Sequence, residues 1–134
     1  SILASAISTG IPVQDIIKLY QERGSEIFPK AASRLWSRVV RVASEGVSAP
    51  KYSPEGLEAC LKDVFGRRTF GSLKTPTLVF TYNVSSRKPG VFKSYRKEYT
   101  AFPIWQIVRA SCSAPTYFPA MELTVNSSTE PYID

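Results

Sequence analysis

The chain has 134 residues, of which 43% are hydrophobic and 21% charged, enough for one domain with one buried core. It contains no histidine and only two cysteines. This composition excludes a Ser-His-Asp or Cys-His catalytic site within these residues, and it excludes most zinc sites. The net charge of +6 makes nucleic acid and anionic membrane surfaces candidate partners. No apolar run approaches the roughly 20 residues of a membrane-spanning helix.

The first part of the chain predicts two helices joined by a tight turn. Gly10 suits the end of the first helix, and Pro12 suits the start of the second. Gly24 is interpreted as the end of the second helix. Apolar residues recur at helical spacing in both segments: Ile2, Leu3, Ala6 and Ile7, then Val13, Ile16, Ile17 and Tyr20.

A basic stripe follows, formed by Lys30, Arg34, Arg38 and Arg41 at helical steps. One interpretation is a surface helix whose basic face is solvated. The other is an interfacial helix for anionic lipid, with Trp36 at the level of the headgroups. The pattern leaves both open.

The rest of the chain predicts alternating helices and strands. A helix capped by Ser53 and Pro54 ends at Gly66, and another begins at Pro103. Strands are predicted over 77–84, 91–95 and 122–125, and the chain returns to extended structure at 132–134. Strands of buried composition mixed with helices predict an α/β layer fold.

The residues alone give little indication of a catalytic or cofactor-binding site. There is no phosphate loop, dinucleotide fingerprint or metal-ligand cluster, so no cofactor and no metal are expected. Asp134 follows a predicted strand, where the sites of α/β sheets commonly lie, although a solvated carboxylate is the simpler interpretation. The apolar segment Trp105–Phe118 suits either a pocket wall or plain core. Cys60 and Cys112 are interpreted as free thiols in the core or a pocket wall, because no base is available to activate them.

Two segments resemble the patatin-like phospholipases. Residues 105–118, Trp-Gln-Ile-Val-Arg-Ala-Ser-Cys-Ser-Ala-Pro-Thr-Tyr-Phe, are similar to the family pattern W-x-x-x-R-A-S-x-A-A-P-T-Y-F, and Tyr132-Ile133-Asp134 resembles its strand before Asp-Gly-Gly or Asp-Gly-Ala. Cys112 and Ser113 depart from the pattern only as small-for-small changes. The opening Ser1–Ala4 with Gly10 is similar to the helix after the nucleophile motif G-x-S-x-G. Residues 16–29, 76–82 and 92–95 continue the resemblance in order.

The resemblance implies a three-layer α/β fold related to the α/β hydrolases, with an incomplete central sheet flanked by helices. Residues 1–134 would be the central part of a single domain truncated at both ends. It also implies a lipid acyl hydrolase with a Ser-Asp dyad, in which Asp134 is the general base. The nucleophilic serine would stand three residues before Ser1, with the oxyanion loop further upstream. This part alone is therefore expected to be inactive.

The partners implied are a lipid ester and an anionic membrane surface, with a cytoplasmic or membrane-peripheral location. The alternative is a non-catalytic module that binds anionic lipid or nucleic acid through Lys30, Arg34, Arg38 and Arg41. Nucleic acid is not expected, because the other basic residues scatter over several segments and no recognition motif accompanies them.

Overall fold

A computed structural model describes residues 1–27 and 50–134. These residues form helices and strands that alternate along the chain, and a short 3-10 helix covers Phe70–Ser72. In chain order the elements are α1 (Ile2–Thr9), α2 (Val13–Ile27), α3 (Glu55–Phe65), β1 (Leu78–Asn83), β2 (Lys88–Lys93), α4 (Ile104–Ala110), β3 (Met121–Val125) and β4 (Ser128–Ile133). The expectation of a mixed α/β fold is confirmed.

Within the described residues, the strands form one antiparallel sheet in the order β2-β1-β4-β3. The strands predicted over 77–84 and 91–95 correspond to β1 and β2, which form a hairpin, but β2 begins at Lys88, three residues before the predicted Val91. The β3–β4 turn is also tighter than expected. Asn126 and Ser127 turn the chain with φ of 49° and 68°, the left-handed pair typical of a two-residue hairpin loop.

The core lies between the helices and one face of this sheet. Val79 of β1 and Phe92 of β2 are paired in register and both are buried. Burying one such side chain contributes about 1.5–3 kcal/mol. The largest fully buried apolar side chains of the α-helices in the same cluster are Leu61, Phe65, Ile104, Ile107 and Val108.

The opposite face of β1 is apolar and exposed in the described part of the chain. Leu78, Phe80 and Tyr82 alternate with the buried residues and are 44%, 63% and 38% exposed. A second helical layer would cover such a face, but the described residues contain none there. The three-layer arrangement therefore stays a prediction.

Both N-terminal helices are present, and the end of α1 is as predicted. Gly10 has φ 85°, and the amides of Gly10 and Ile11 donate to Ile7 and Ala6, a Schellman ending. The buried side of α1 consists of small residues, Ser5, Ala6 and Ser8, whereas Leu3 and Ile7 are about half exposed.

The prediction that Gly24 ends α2 is wrong. The helix continues to Ile27, so Gly24 lies inside it. A glycine in a helix interior costs about 1 kcal/mol relative to alanine, and the packing of the surrounding helix can override that propensity.

Ser53 and Pro54 precede α3 as predicted, but the helix begins one residue later than expected. A cap at Ser53 predicts Pro54 as the first helical residue, whereas Pro54 is itself the cap. The helix begins at Glu55, whose amide donates to Ser53 Oγ at 3.5 Å, and Gly66 ends it as expected.

Arg109 is the largest fully buried side chain among the described residues, at 1% exposure. Its guanidinium donates to Ser113 Oγ and, at 3.1 Å, to the carbonyl of Pro119. Its Nε lies 3.6 Å from Glu58 Oε1, an ion-pair distance slightly too long for a hydrogen bond. Burial lowers the pKa of Arg109, and the carboxylate of Glu58 opposes this effect. One side chain thus connects α4 to α3 and to the loop over 111–120.

We expect Arg109→Met to lower the free energy of unfolding by about 2–4 kcal/mol, because it leaves buried acceptors without their donor. Urea denaturation of the variant measures this loss. The matched control is Arg67→Met at an exposed arginine, which should change stability by less than about 0.5 kcal/mol. Equal effects in the two variants would contradict the role assigned to Arg109.

Candidate active site

Asp134 directly follows β4 and is exposed, as predicted for a carboxylate at a strand end. Its amide donates to the carbonyl of Ser113 at 3.1 Å. Ser113 in turn holds Arg109, accepting from its guanidinium and donating to its carbonyl at 3.0 Å. Ser113 therefore connects the backbone of Asp134 to the buried Arg109 through hydrogen bonds.

The start of α1 and the end of β4 meet at Cys112. Ser1 Oγ lies 3.5 Å from Cys112 Sγ, within hydrogen-bond distance for sulfur. The amide of Asp134 donates to the carbonyl of Ser113, the residue next to Cys112, so the end of β4 lies beside Cys112. Burial raises the pKa of the Cys112 thiol, the hydrogen bond with Ser1 lowers it, and the negative charge of Asp134 raises it. Cys112 thus links the start of α1 to the end of β4.

Cys60 is the second free thiol and is buried in α3. Burial raises its pKa as well, and the charge of nearby Arg23 opposes this effect. Because the thiolate is the reactive form, we expect both cysteines to be weak nucleophiles at neutral pH. The interpretation of Cys60 and Cys112 as free thiols in the core or a pocket wall is confirmed.

An apolar cavity of about 500 Å³ adjoins this corner. Its volume lies within the range of about 300–1,000 Å³ found for ligand pockets. Ile2, close to Ser1, and Cys112 both contribute to its wall. The remaining lining residues are Leu19, Tyr20, Gly24, Ile27, Leu57, Cys60, Ala114, Tyr117 and Phe118.

The loop after α4 supplies one wall of this cavity. The amides of Lys51 and Tyr52 each donate at 2.8 Å to the carbonyls of Thr116 and Tyr117. The Tyr52 ring stacks on that of Tyr117 at 6.1 Å and packs against that of Phe118 at 5.7 Å. Thr116 has φ 70°, an unusual conformation for a β-branched residue, of the kind that clusters at functional sites.

The sequence left open whether the segment Trp105–Phe118 is core or pocket wall, and the structure shows both. Its helical part, with Ile104 before it, is core, whereas its last part is pocket wall. The sequence pattern does not indicate that Leu19, Tyr20 and Leu57 line a cavity, because only the packing of α2 against α3 brings them together. The one sequence feature that could indicate a cavity here is the glycine at position 24.

Lys30, Arg34, Arg38, Arg41 and Trp36 lie outside the described residues, so the basic stripe stays a prediction. Within residues 1–27 and 50–134, no group of three or more potential metal ligands comes together. The same residues contain no helix long and apolar enough to cross a membrane.

The arrangement can perform one kind of chemistry with its own residues. Asp134 is an exposed carboxylate, a group that can accept a proton, and its backbone is held next to Cys112, which lines the apolar cavity and contacts Ser1 at the start of α1. No curated protein matches the chain. The family model described as Patatin-like phospholipase matches residues 1–134, the whole chain. Because the match covers every residue, the chain belongs to the patatin-like phospholipase family.

Proposed function

We propose that the protein is a lipid acyl hydrolase of the phospholipase A type, with Asp134 as its general base. Family membership implies hydrolysis of lipid esters. The observation that carries the assignment to Asp134 is its backbone hydrogen bond to Ser113, the neighbour of Cys112, which lines the apolar cavity and contacts Ser1 at the start of α1. An apolar cavity suits the acyl chain of a lipid, and a carboxylate at its rim suits the ester bond.

The proposed mechanism uses a Ser-Asp dyad. By resemblance to the family, the nucleophilic serine stands three residues before Ser1 in the complete protein, at the turn that leads into α1. It attacks the acyl carbonyl while Asp134 accepts its proton, which forms an acyl-enzyme. Asp134 then activates a water molecule, and hydrolysis releases the fatty acid. The absence of histidine from residues 1–134 is compatible with this dyad, which requires none.

Two features would stabilise the negative charge that develops on the acyl oxygen. By the same resemblance, a glycine-rich loop further upstream supplies backbone amides to the oxyanion. The N-terminal end of α1 adds the positive end of its dipole. In this proposal, α1 is both a core element and part of the electrostatic environment of the nucleophile.

Docking on an anionic membrane surface through Lys30, Arg34, Arg38 and Arg41 belongs to the same proposal. A lipid hydrolase must meet its substrate at an interface, and a basic face with a tryptophan suits that task. The net charge of +6 favours this encounter.

We expect Asp134→Asn in the complete protein to lower kcat/KM for a chromogenic short-chain ester by about three orders of magnitude, because the general base is lost. Steady-state kinetics measure the loss, and circular dichroism checks the fold. The matched control is Glu122→Gln, which neutralises an exposed carboxylate of β3 and should leave activity unchanged. Near-normal activity of Asp134→Asn would reject the assignment.

Residues 1–134 by themselves are expected not to hydrolyse the ester, because the proposed nucleophile precedes them. A chain extended upstream through the oxyanion loop and downstream past Asp134 should regain turnover. The comparison uses the same ester and equal protein concentrations. Clear turnover by residues 1–134 that is abolished by changing an internal serine would overturn the dyad.

The two thiols are expected to react with iodoacetamide more slowly than free cysteine at neutral pH, since burial raises both pKa values. The reaction rate should rise only above the pH at which an ordinary thiol ionises. Over the same range the protein should lose stability, because a raised pKa favours the folded state only while the thiol is protonated. Mass spectrometry of Cys60→Ala and Cys112→Ala assigns each rate. Rapid alkylation at neutral pH would contradict the assignment of these cysteines as weak nucleophiles.

A further inference from the structure

Gly24 occupies a position that secondary structure alone does not explain. It lies inside α2, where glycine is among the least favourable residues. A common reason for a glycine in a helix is close contact with a neighbouring backbone. Gly56 in α3 has that reason, because a Cβ there would lie 2.2 Å from the carbonyl oxygen of Glu26.

Gly24 has no such contact. A Cβ at this position would have no other heavy atom within 4 Å among the described residues, so sterics do not require a glycine. Its φ is not in the left-handed region either, which removes the conformational reason. What Gly24 does border is open space, namely the apolar cavity.

The geometry of α2 directs position 24 into that cavity. Tyr20 lies four residues before Gly24 and Ile27 three residues after it, so the three share one side of the helix. All three line the cavity. A side chain at position 24 would therefore project beside Tyr20 into the volume that the glycine leaves free.

The same cavity includes Cys112 in its wall. Cys112 contacts Ser1, and its neighbour Ser113 accepts a hydrogen bond from the amide of Asp134. An acyl chain whose ester is at Asp134 would extend along this wall. The space at Gly24 would then receive methylene groups distant from the ester, while the wall near Cys112 receives those next to it.

We propose that Gly24 is a specificity-determining residue that sets the length of acyl chain the cavity accepts. This inference rests on the proposed function, because it takes the cavity as the acyl site. Each methylene group excluded from an apolar pocket weakens binding about fourfold. A leucine side chain at position 24 would displace several methylene groups of a long acyl chain and leave a short chain untouched.

The test compares Gly24→Ala and Gly24→Leu in the complete protein. The matched control is Ser25→Leu, which adds the same side chain at the neighbouring, exposed position of α2. Two properties are measured: kcat/KM for butyryl and palmitoyl chromogenic esters, and the affinity for palmitate by calorimetry. Thermal unfolding is followed in parallel.

For Gly24→Leu we expect kcat/KM for the palmitoyl ester to fall about tenfold or more relative to the butyryl ester, with a similar loss in palmitate affinity. Gly24→Ala should shift the preference in the same direction but less. It should also raise the unfolding temperature by a few degrees, because alanine favours the helix. Greater stability combined with poorer use of the long chain is a result that a purely structural glycine cannot produce.

Equal effects on both esters, or the same shift in Ser25→Leu, would overturn the inference while leaving the proposed function intact. If the unsubstituted protein hydrolyses neither ester, the proposed function fails instead. Palmitate binding still decides the role of Gly24 in that case. Unchanged affinity in Gly24→Leu, or no binding of palmitate to any form, would overturn the inference.

Discussion

The buried guanidinium of Arg109 is the interaction on which the arrangement of the candidate site depends. Taking a charge out of water is costly, and only several partners in the right geometry offset the cost. Those partners are Glu58 in α3, Ser113 after α4 and the carbonyl of Pro119 further along the same loop. The hydrogen bonds and the ion pair of Arg109 therefore determine where the loop over 111–120 lies. Ser113 in this loop also accepts a hydrogen bond from the amide of Asp134, which fixes the end of β4 relative to the loop.

The loop held in this way combines two tasks. Its Ser113 carbonyl accepts a hydrogen bond from the amide of Asp134, and its side chains Tyr117 and Phe118 close one side of the apolar cavity. In the proposed function, Asp134 is the proton acceptor and the cavity takes the acyl chain, and this loop contacts both. The buried side of α1 consists of small residues, and Ser1 at the start of this helix contacts Cys112.

Several features that local structure does not favour lie at the cavity or next to it. A glycine inside α2, a β-branched residue with positive φ at Thr116 and two thiols with raised pKa each depart from what local structure prefers. Gly24, Cys60 and Cys112 line the cavity, and Thr116 directly precedes one of its wall residues. Local exceptions of this kind are expected where a protein forms a binding site rather than solid core.

The sequence by itself determined the order and kind of the elements, the Gly10 ending and the family, because these depend on local spacing and on a specific motif around Arg109. It also identified Asp134 at a strand end. Only the tertiary structure decided that Gly24 lies within a helix, that β2 begins at Lys88, and that Ser1, Cys112 and Asp134 meet beside a cavity. These facts depend on contacts between residues distant in the chain. Side-chain periodicity carries no information about which distant elements pack together.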